Sequence, residues 1–387
     1  MAGPLSGARV IELVGLGPGP FAGMILSDLG AEVIRVDRAG SARGSGADTV
    51  PADTLGRGRK SIAVDLKNPD GVELVLQLVE HADAIFEGLR PGVTERLGVG
   101  PDDCMKRNPK IVYGRMTGWG QEGPYANAAG HDINYAALSG ALSMIGREGE
   151  PPVPPVNFLA DFGGGGMFLA LGIVSALWES ARSGKGQVVD TAMVDGAALL
   201  SNMMYGFAAS GMWQWEKGTN LLDTGAWYYE TYETSDGKYV SFGSLEPQFF
   251  AEMLRITGLA DDVDGGGPIP NPMDRATWPE MKRRMGKLVA TKTRDEWCSL
   301  LEHTDACFAP VLTPPEAIEH PHNKARGTFV DVGGVVQPGP APRFSRTKPD
   351  LPAPAVAPGA HTDEVLSSVL RLSADEVASL RSKGAVA

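Results

Sequence analysis

Residues 8–37, ARVIELVGLGPGPFAGMILSDLGAEVIRVD, decide the fold. A β-rich run at 8–15 is broken by Gly17, Pro18, Gly19 and Pro20. Apolar residues then recur at helical spacing, and EVIRVD at 32–37 is a second β-rich run. Strand, turn, helix and strand in so short a span make a βαβ unit, which predicts a parallel sheet with helices packed on it. Gly17, Gly19 and Ala22 also satisfy GxGxxG/A, with Asp37 where a ribose-binding acid would stand. Pro18 and Pro20 each remove an N–H donor from the turn that would hold a pyrophosphate, so a nicotinamide dinucleotide ranks last among the readings.

Outward from this unit the alternation continues. SIAVDL (61–66), AIFEG (84–88), KIVYGRM (110–116) and the start of GQVVDTAMVDG (186–196) read as strands, and a helix begins at the N-capping Asn68 with Pro69 behind it. Residues 40–54 read as a surface loop. The segment NFLADF before Gly163 reads as extended, followed by a helix with Met167, Leu171, Val174 and Trp178 on one face, stopped at Gly184. The uncharged run 196–215 reads as a buried core helix rather than a membrane span, because Ser201, Asn202, Ser210 and Gln214 interrupt it.

Near Leu221 the composition turns aromatic and β-rich, with a hairpin signal at Ser235, Asp236 and Gly237. Helical stretches follow, with a Gly/Pro-rich insert at 264–273. Residues 337–358 are proline-rich and extended, and a last helix spans 374–381. The expected organisation is α/β: a large Rossmann-like parallel-sheet domain over 1–215, a small α+β domain over 221–325, and a segment over 326–387 that returns to the large domain.

The chain has 387 residues, 43% of them apolar, and a formal net charge of −12. That balance argues against a nucleic-acid surface. Three cysteines without a CxxC pair give neither a disulfide framework nor a zinc site, which fits a reducing cytoplasm. The opening residues carry no basic segment followed by an apolar run, and the final SKGAVA matches no retention or peroxisomal signal, so a cytoplasmic protein is expected.

Chemistry concentrates at 130–166, which holds His131 at one end and Asp161 at the other. No GxSxG elbow, P-loop or HExxH competes with them. A histidine and a carboxylate suit removal of a proton beside a thioester and its return to the opposite face, with N–H groups of the helix after Asp161 waiting for the enolate oxygen. A structural histidine and a plain N-cap aspartate are the competing readings of the same two residues. Arg57, Arg59, Lys60 and Lys67 cluster around one strand with Arg38 near in sequence, a candidate phosphate rim. Arg90, Arg96 and Arg115 fall near strand ends, where open α/β sheets place ligands.

Nearly the whole chain resembles the family III CoA-transferase superfamily and, within it, the α-methylacyl-CoA racemases. The resemblance rests on LSGARVIEL, GPGPFAGMILSDLGAEVIRVD, VDLKNPDG, RPGVTERLG, RMTGWGQEGPY, GHDINY, ADFGGGGM, GKGQVVDTAMVDG, LEPQF, DACFAPV and APRFS. It implies an interlocked homodimer acting on 2-methyl-branched acyl-CoA without a cofactor. His131 and Asp161 would be the acid/base pair, Glu246 would pair with His131 and come from the partner subunit, and Asn157 and Asp132 would support the site. Arg38, Lys67, Arg90 and Arg96 would grip CoA, and Met116 and Met193 would lie on the acyl-binding surface. His131 separates the racemases from the transferases, which usually carry an aromatic residue there. The alternatives are a transferase with Asp161 as covalent acyl carrier and a non-catalytic acyl-CoA-binding protein. The family's GGAPxY is altered here, with Thr224 for glycine and Trp227 for proline, which bears on acyl-chain preference.

Overall fold

Six parallel strands carry the larger part of the chain: β1 (Arg9–Leu13), β2 (Glu32–Arg38), β3 (Lys60–Val64), β4 (Ala84–Glu87), β5 (Val112–Thr117) and β6 (Gln187–Ala192), in the order β3-β2-β1-β4-β5-β6. The order reverses between β1 and β4, which pair directly through Val10↔Ala84 and Ile11↔Ile85. Open sheets of this kind leave a crevice beyond the carboxyl ends of the strands at that point.

The sequence explains these elements locally. Ile11, Ile34, Ile62 and Ile85 lie on adjacent strands with no exposed surface, and burial of each contributes about 1.5–3 kcal/mol. Helices cover both faces: α1 (Pro18–Asp28), α2 (Pro69–Glu80), α3 (Val93–Leu97), α4 (Pro101–Arg107), α5 (Asp132–Leu138), α6 (Met167–Ser183) and α7 (Met193–Leu200). In α2 the Asn68 side chain accepts from the Asp70 N–H, and Leu74, Val75, Leu78 and Val79 form the buried stripe.

The computed structural model describes residues 2–42, 49–262 and 265–387, so parts of the loop at 40–54 and of the insert at 264–273 lie outside the described residues. The chain separates into two compact units, Met1–Ser139 with Val156–Leu200 and Arg326–Ala387, and Gly140–Pro155 with Ser201–Ala325. The second unit therefore takes in 140–155 and starts at 201, ahead of the change in composition near 221. The C-terminal segment belongs to the sheet unit: Ala353 O and Ala355 O accept from the Gly58 and Val50 N–H groups, and helix Thr362–Val369 buries Val365 and Leu366 in the same core as Ile62.

In the second unit α8 (Asn202–Ala209) comes first, and β7 (Tyr229–Glu233), β8 (Tyr239–Gly243) and β9 (Phe308–Val311) form an antiparallel sheet backed by α9 (Pro247–Thr257), α10 (Trp278–Val289) and α11 (Arg294–Leu301). The hairpin falls at Ser235–Gly237. The expected core helix over 196–215 is instead two helices broken at Ser201, and α8 has no buried residue. The polar residues Ser201, Asn202 and Ser210 divide the apolar run and leave it without a continuous buried stripe. Phe158–Ser183 has the length and apolarity of a membrane span, yet Leu169, Ala170, Ile173 and Ala176 are buried within the sheet unit.

Candidate active site

The reading of 157–162 as extended is corrected by the structure. Phe158–Gly166 coils as a π-helix that runs straight into α6, with the Phe162 N–H donating to Asn157 O across five residues at 3.2 Å. The glycine run makes this possible by close approach to α7. A β-carbon on Gly196 would lie 1.9 Å from Gly164 O, and one on Gly164 would lie 2.6 Å from Ala197 N. Asn157 turns the chain into the coil at φ 63°, a left-handed conformation that asparagine tolerates better than most residues.

This coil sets Asp161. The residue is 9% exposed, and the Asn157 side-chain amide donates to its Oδ2 at 2.8 Å. Burial pushes the Asp161 carboxyl up; the Asn157 hydrogen bond opposes this, the Asp132 charge adds to it, and His131 opposes it. Asp132, 4% exposed, sends Oδ1 to the N–H groups of Ala160 and Asp161 at 2.9 and 2.8 Å. These two N–H groups at the start of the coil are thus already used by a buried carboxylate.

His131 stands at the N-cap of α5, directly before Asp132. Its own N–H donates to Asn134 Oδ1 at 3.0 Å and its carbonyl accepts from the Asn134 N–H at 2.8 Å, so the backbone is fixed. The imidazole is exposed. Below it the Tyr135 hydroxyl donates to Gly130 O, and the Trp119 ring meets Tyr135 edge-on at 4.7 Å. One residue therefore links both halves of the site: Asp132 belongs to the helix that presents His131 and holds the backbone of Asp161.

His131 and Asp161 line one cleft of about 460 Å³, together with Met116, Met193, Leu89 and Arg90. Gly17, at the head of α1, approaches so closely that a β-carbon there would lie 3.4 Å from Asp161 Oδ2. Leu89 also borders a second cleft of about 830 Å³, which Arg38 and Lys67 line at the ends of β2 and β3. Arg38, Lys67, Arg90 and Arg96 are exposed and have no acidic partner among the described residues.

The other expected rim cations are structural. Arg57 pairs with Asp28, Arg59 with Glu12, and Lys60 with Glu32 and Glu364. Arg115 pairs with Glu87 and Glu95. Asp37, the would-be ribose acid, accepts from Arg35 at 2.7 Å and from Ser61 at 2.6 Å. The acids Asp28 and Glu12 lie far from their arginines in sequence, which is why a local reading could not find these pairs.

Glu246 is in the second unit, at the N-cap of α9 with an exposed side chain. Its charge adds to the effect of burial in pushing the Cys307 thiol up. Trp227 has no exposed surface and packs edge-on against Tyr228 and Phe250 in the core of that unit, so it offers no face to an acyl chain. Thr224 holds φ 75°. Trp119, Tyr135 and Leu89 are cleft-lining residues that the sequence reading did not single out; the aromatic spacing in the glycine-rich loop before His131 was the available signal.

Fold and site together define an open, doubly wound α/β protein with a carboxyl–imidazole pair at the switch point of its sheet. Residues 5–362 match CoA-transferase family III, and the chain belongs to that family. It is 46% identical over 383 residues to the alpha-methylacyl-CoA racemase of Mus musculus, covering 96% of this chain and 97% of the relative. It is 45% identical to the protein of that name from Homo sapiens, covering 94% and 92%. Among solved structures it is similar to a CAIB/BAIF family protein from Brucella suis, with a TM-score of 0.82, 26% identity and coverage of 95% and 100%.

Proposed function

We propose that this protein interconverts (2R)- and (2S)-2-methylacyl-CoA thioesters by moving the α-proton through an enolate. The observation that carries this reading is the presence of His131 and Asp161 on one cleft. In one direction the imidazole removes the α-proton while Asp161, as a carboxylic acid, returns one to the opposite face; in the other direction the roles exchange. A carboxyl raised by burial suits a group that must serve as both acid and base near neutral pH. Asn157 and Asp132 hold Asp161 in place, and the two side chains carry the reaction without a cofactor. The curated relatives at 45–46% identity bear the racemase name.

Arg38, Lys67, Arg90 and Arg96 are assigned to the CoA phosphates, since none has an acidic partner among the described residues and the first three line the two clefts. Met116 and Met193 are assigned to the acyl chain, where flexible thioethers adapt to varied shapes. The working form is a homodimer in which Glu246 of the partner subunit supports His131. In its favour, the sheet unit leaves Phe158, Leu171 and Trp178 at 69%, 61% and 69% exposure, a large apolar surface for a lone soluble chain. Sedimentation of a monomer at micromolar concentration would remove that arrangement.

Epimerisation in deuterated water tests the chemistry. Label should enter the α-position, and His131→Ala and Asp161→Ala should each abolish entry while the protein stays folded. Retention of the α-proton through many turnovers would refute it. The transferase reading, with Asp161 as acyl carrier, predicts instead hydroxylamine trapping at Asp161 and acceptor-dependent CoA exchange. Acyl-CoA binding with no exchange at all would leave a non-catalytic binding protein.

A further inference from the structure

Glu87 is a buried carboxylate for which the proposed proton transfer has no use. It ends β4, beside the switch point, with no exposed surface. Its Oε2 accepts from the Leu89 N–H at 2.5 Å, and its Oε1 accepts from Arg115 Nε at 3.2 Å, the residue paired with it across the parallel ladder. Arg115 continues outward to Glu95 of α3, through Nη1 at 2.8 Å and Nη2 at 3.4 Å. Apolar residues would fill this space without the desolvation that buried charges suffer, so the chain of charges is weak as a source of stability and points instead to position.

What it holds is the corner from Gly88 to Gly92. Leu89, whose N–H Glu87 fixes, borders both clefts, and the next residue, Arg90, lines the cleft of His131 and Asp161. Beyond the corner, α3 is held at Glu95 and carries Arg96. Two exposed cations without acidic partners among the described residues thus flank an anchored stretch of backbone. We propose that Glu87 is a positioning residue for phosphate recognition: through the Leu89 N–H, and through Arg115 and Glu95, it sets Arg90 and Arg96 where the phosphates of CoA pass. This rests on the acyl-CoA reading above.

Two variants separate reach from charge. Glu87→Asp keeps a carboxyl group facing Arg115 but draws it back from the Leu89 N–H; Glu87→Gln keeps an oxygen in reach of that N–H. Each is assayed with a 2-methylacyl-CoA and with the matching S-acyl-pantetheine, which lacks the nucleotide and its phosphates. Glu87→Asp should raise KM for the CoA thioester about tenfold, the order of one charge-assisted contact, with kcat little changed and the pantetheine thioester unaffected. Glu87→Gln should restore most of the affinity. A rise in KM for both thioesters alike, a fall in kcat alone, or no change in Glu87→Asp would each overturn the proposal. Equal KM values of the unaltered enzyme for the two thioesters would instead refute the phosphate reading itself, and the proposal with it.

Discussion

Replacing Asp132 by alanine removes its carboxylate, whose Oδ1 serves two buried donors, and orphans both. Ala160 has no exposed surface and Asp161 is 9% exposed, and both backbone N–H groups donate to Asp132 Oδ1. Each unsatisfied donor costs about 1–3 kcal/mol, so Asp132→Ala should destabilise the sheet unit by about 2–6 kcal/mol. At roughly 2–4 °C per kcal/mol for a unit of this size, the midpoint should fall by on the order of 10 °C. Asp132→Asn keeps the acceptor and should stay within about 2 °C of the parent. The two variants also separate geometry from charge. Because the Asp132 charge raises the Asp161 carboxyl, its removal in Asp132→Asn should shift the Asp161-controlled limb of the exchange rate to lower pH. Calorimetry and α-deuterium exchange across pH measure both effects. An Asp132→Ala midpoint within about 1 °C of the parent would refute the claim that this carboxylate holds the π-helical coil.

Three further outcomes follow from single observations. Burial pushes the Glu87 carboxyl up from 4.5 to about 7, so the folded protein keeps a proton there that the unfolded chain has lost. That contribution is full below about pH 4.5 and vanishes as pH rises through about 7, an amount of about 3 kcal/mol that Glu87→Gln should not lose over the same window in urea titrations. Thr224→Gly should raise the stability of the second unit by about 1 kcal/mol, since a β-branched residue at φ 75° is strained; a loss in thermal melts would contradict this. Gly196→Ala should cost more than about 3 kcal/mol and abolish isotope exchange, because its β-carbon would meet the Gly164 carbonyl at 1.9 Å; soluble, active protein would exclude it.

The βαβ opening was legible because three periodicities agree within thirty or so residues, and the parallel sheet follows from it. His131 stood out as a candidate because no GxSxG elbow, P-loop or HExxH competes with it. The coil around Asp161 was not legible, since NFLADF reads as extended and the glycines after it are poor helix formers, while the coil packs against α7, a partner thirty residues further on. The same blindness put Arg57 and Arg59 on the phosphate rim: they look like part of a basic cluster until Asp28 and Glu12, from the first βαβ unit, are folded against them. The bearing of Trp227 on acyl-chain preference could not be judged from sequence for a similar reason, its burial by Tyr228 and Phe250 being tertiary.

The wide coil gives the site its particular chemistry. Left free at the start of this coil, the Ala160 and Asp161 N–H groups would attract a passing anion. Here they are occupied by Asp132, which neutralises part of the attraction and adds a second negative charge near Asp161. Both effects favour the protonated carboxyl, whereas a free helix start would have favoured the carboxylate and weakened it as a base. Asp132 is tied in turn to the helix that presents His131. A single buried residue therefore ties the backbone of Asp161 to the helix that carries His131 and favours the protonated form of Asp161, which is what the proposed two-sided proton transfer would ask of its scaffold.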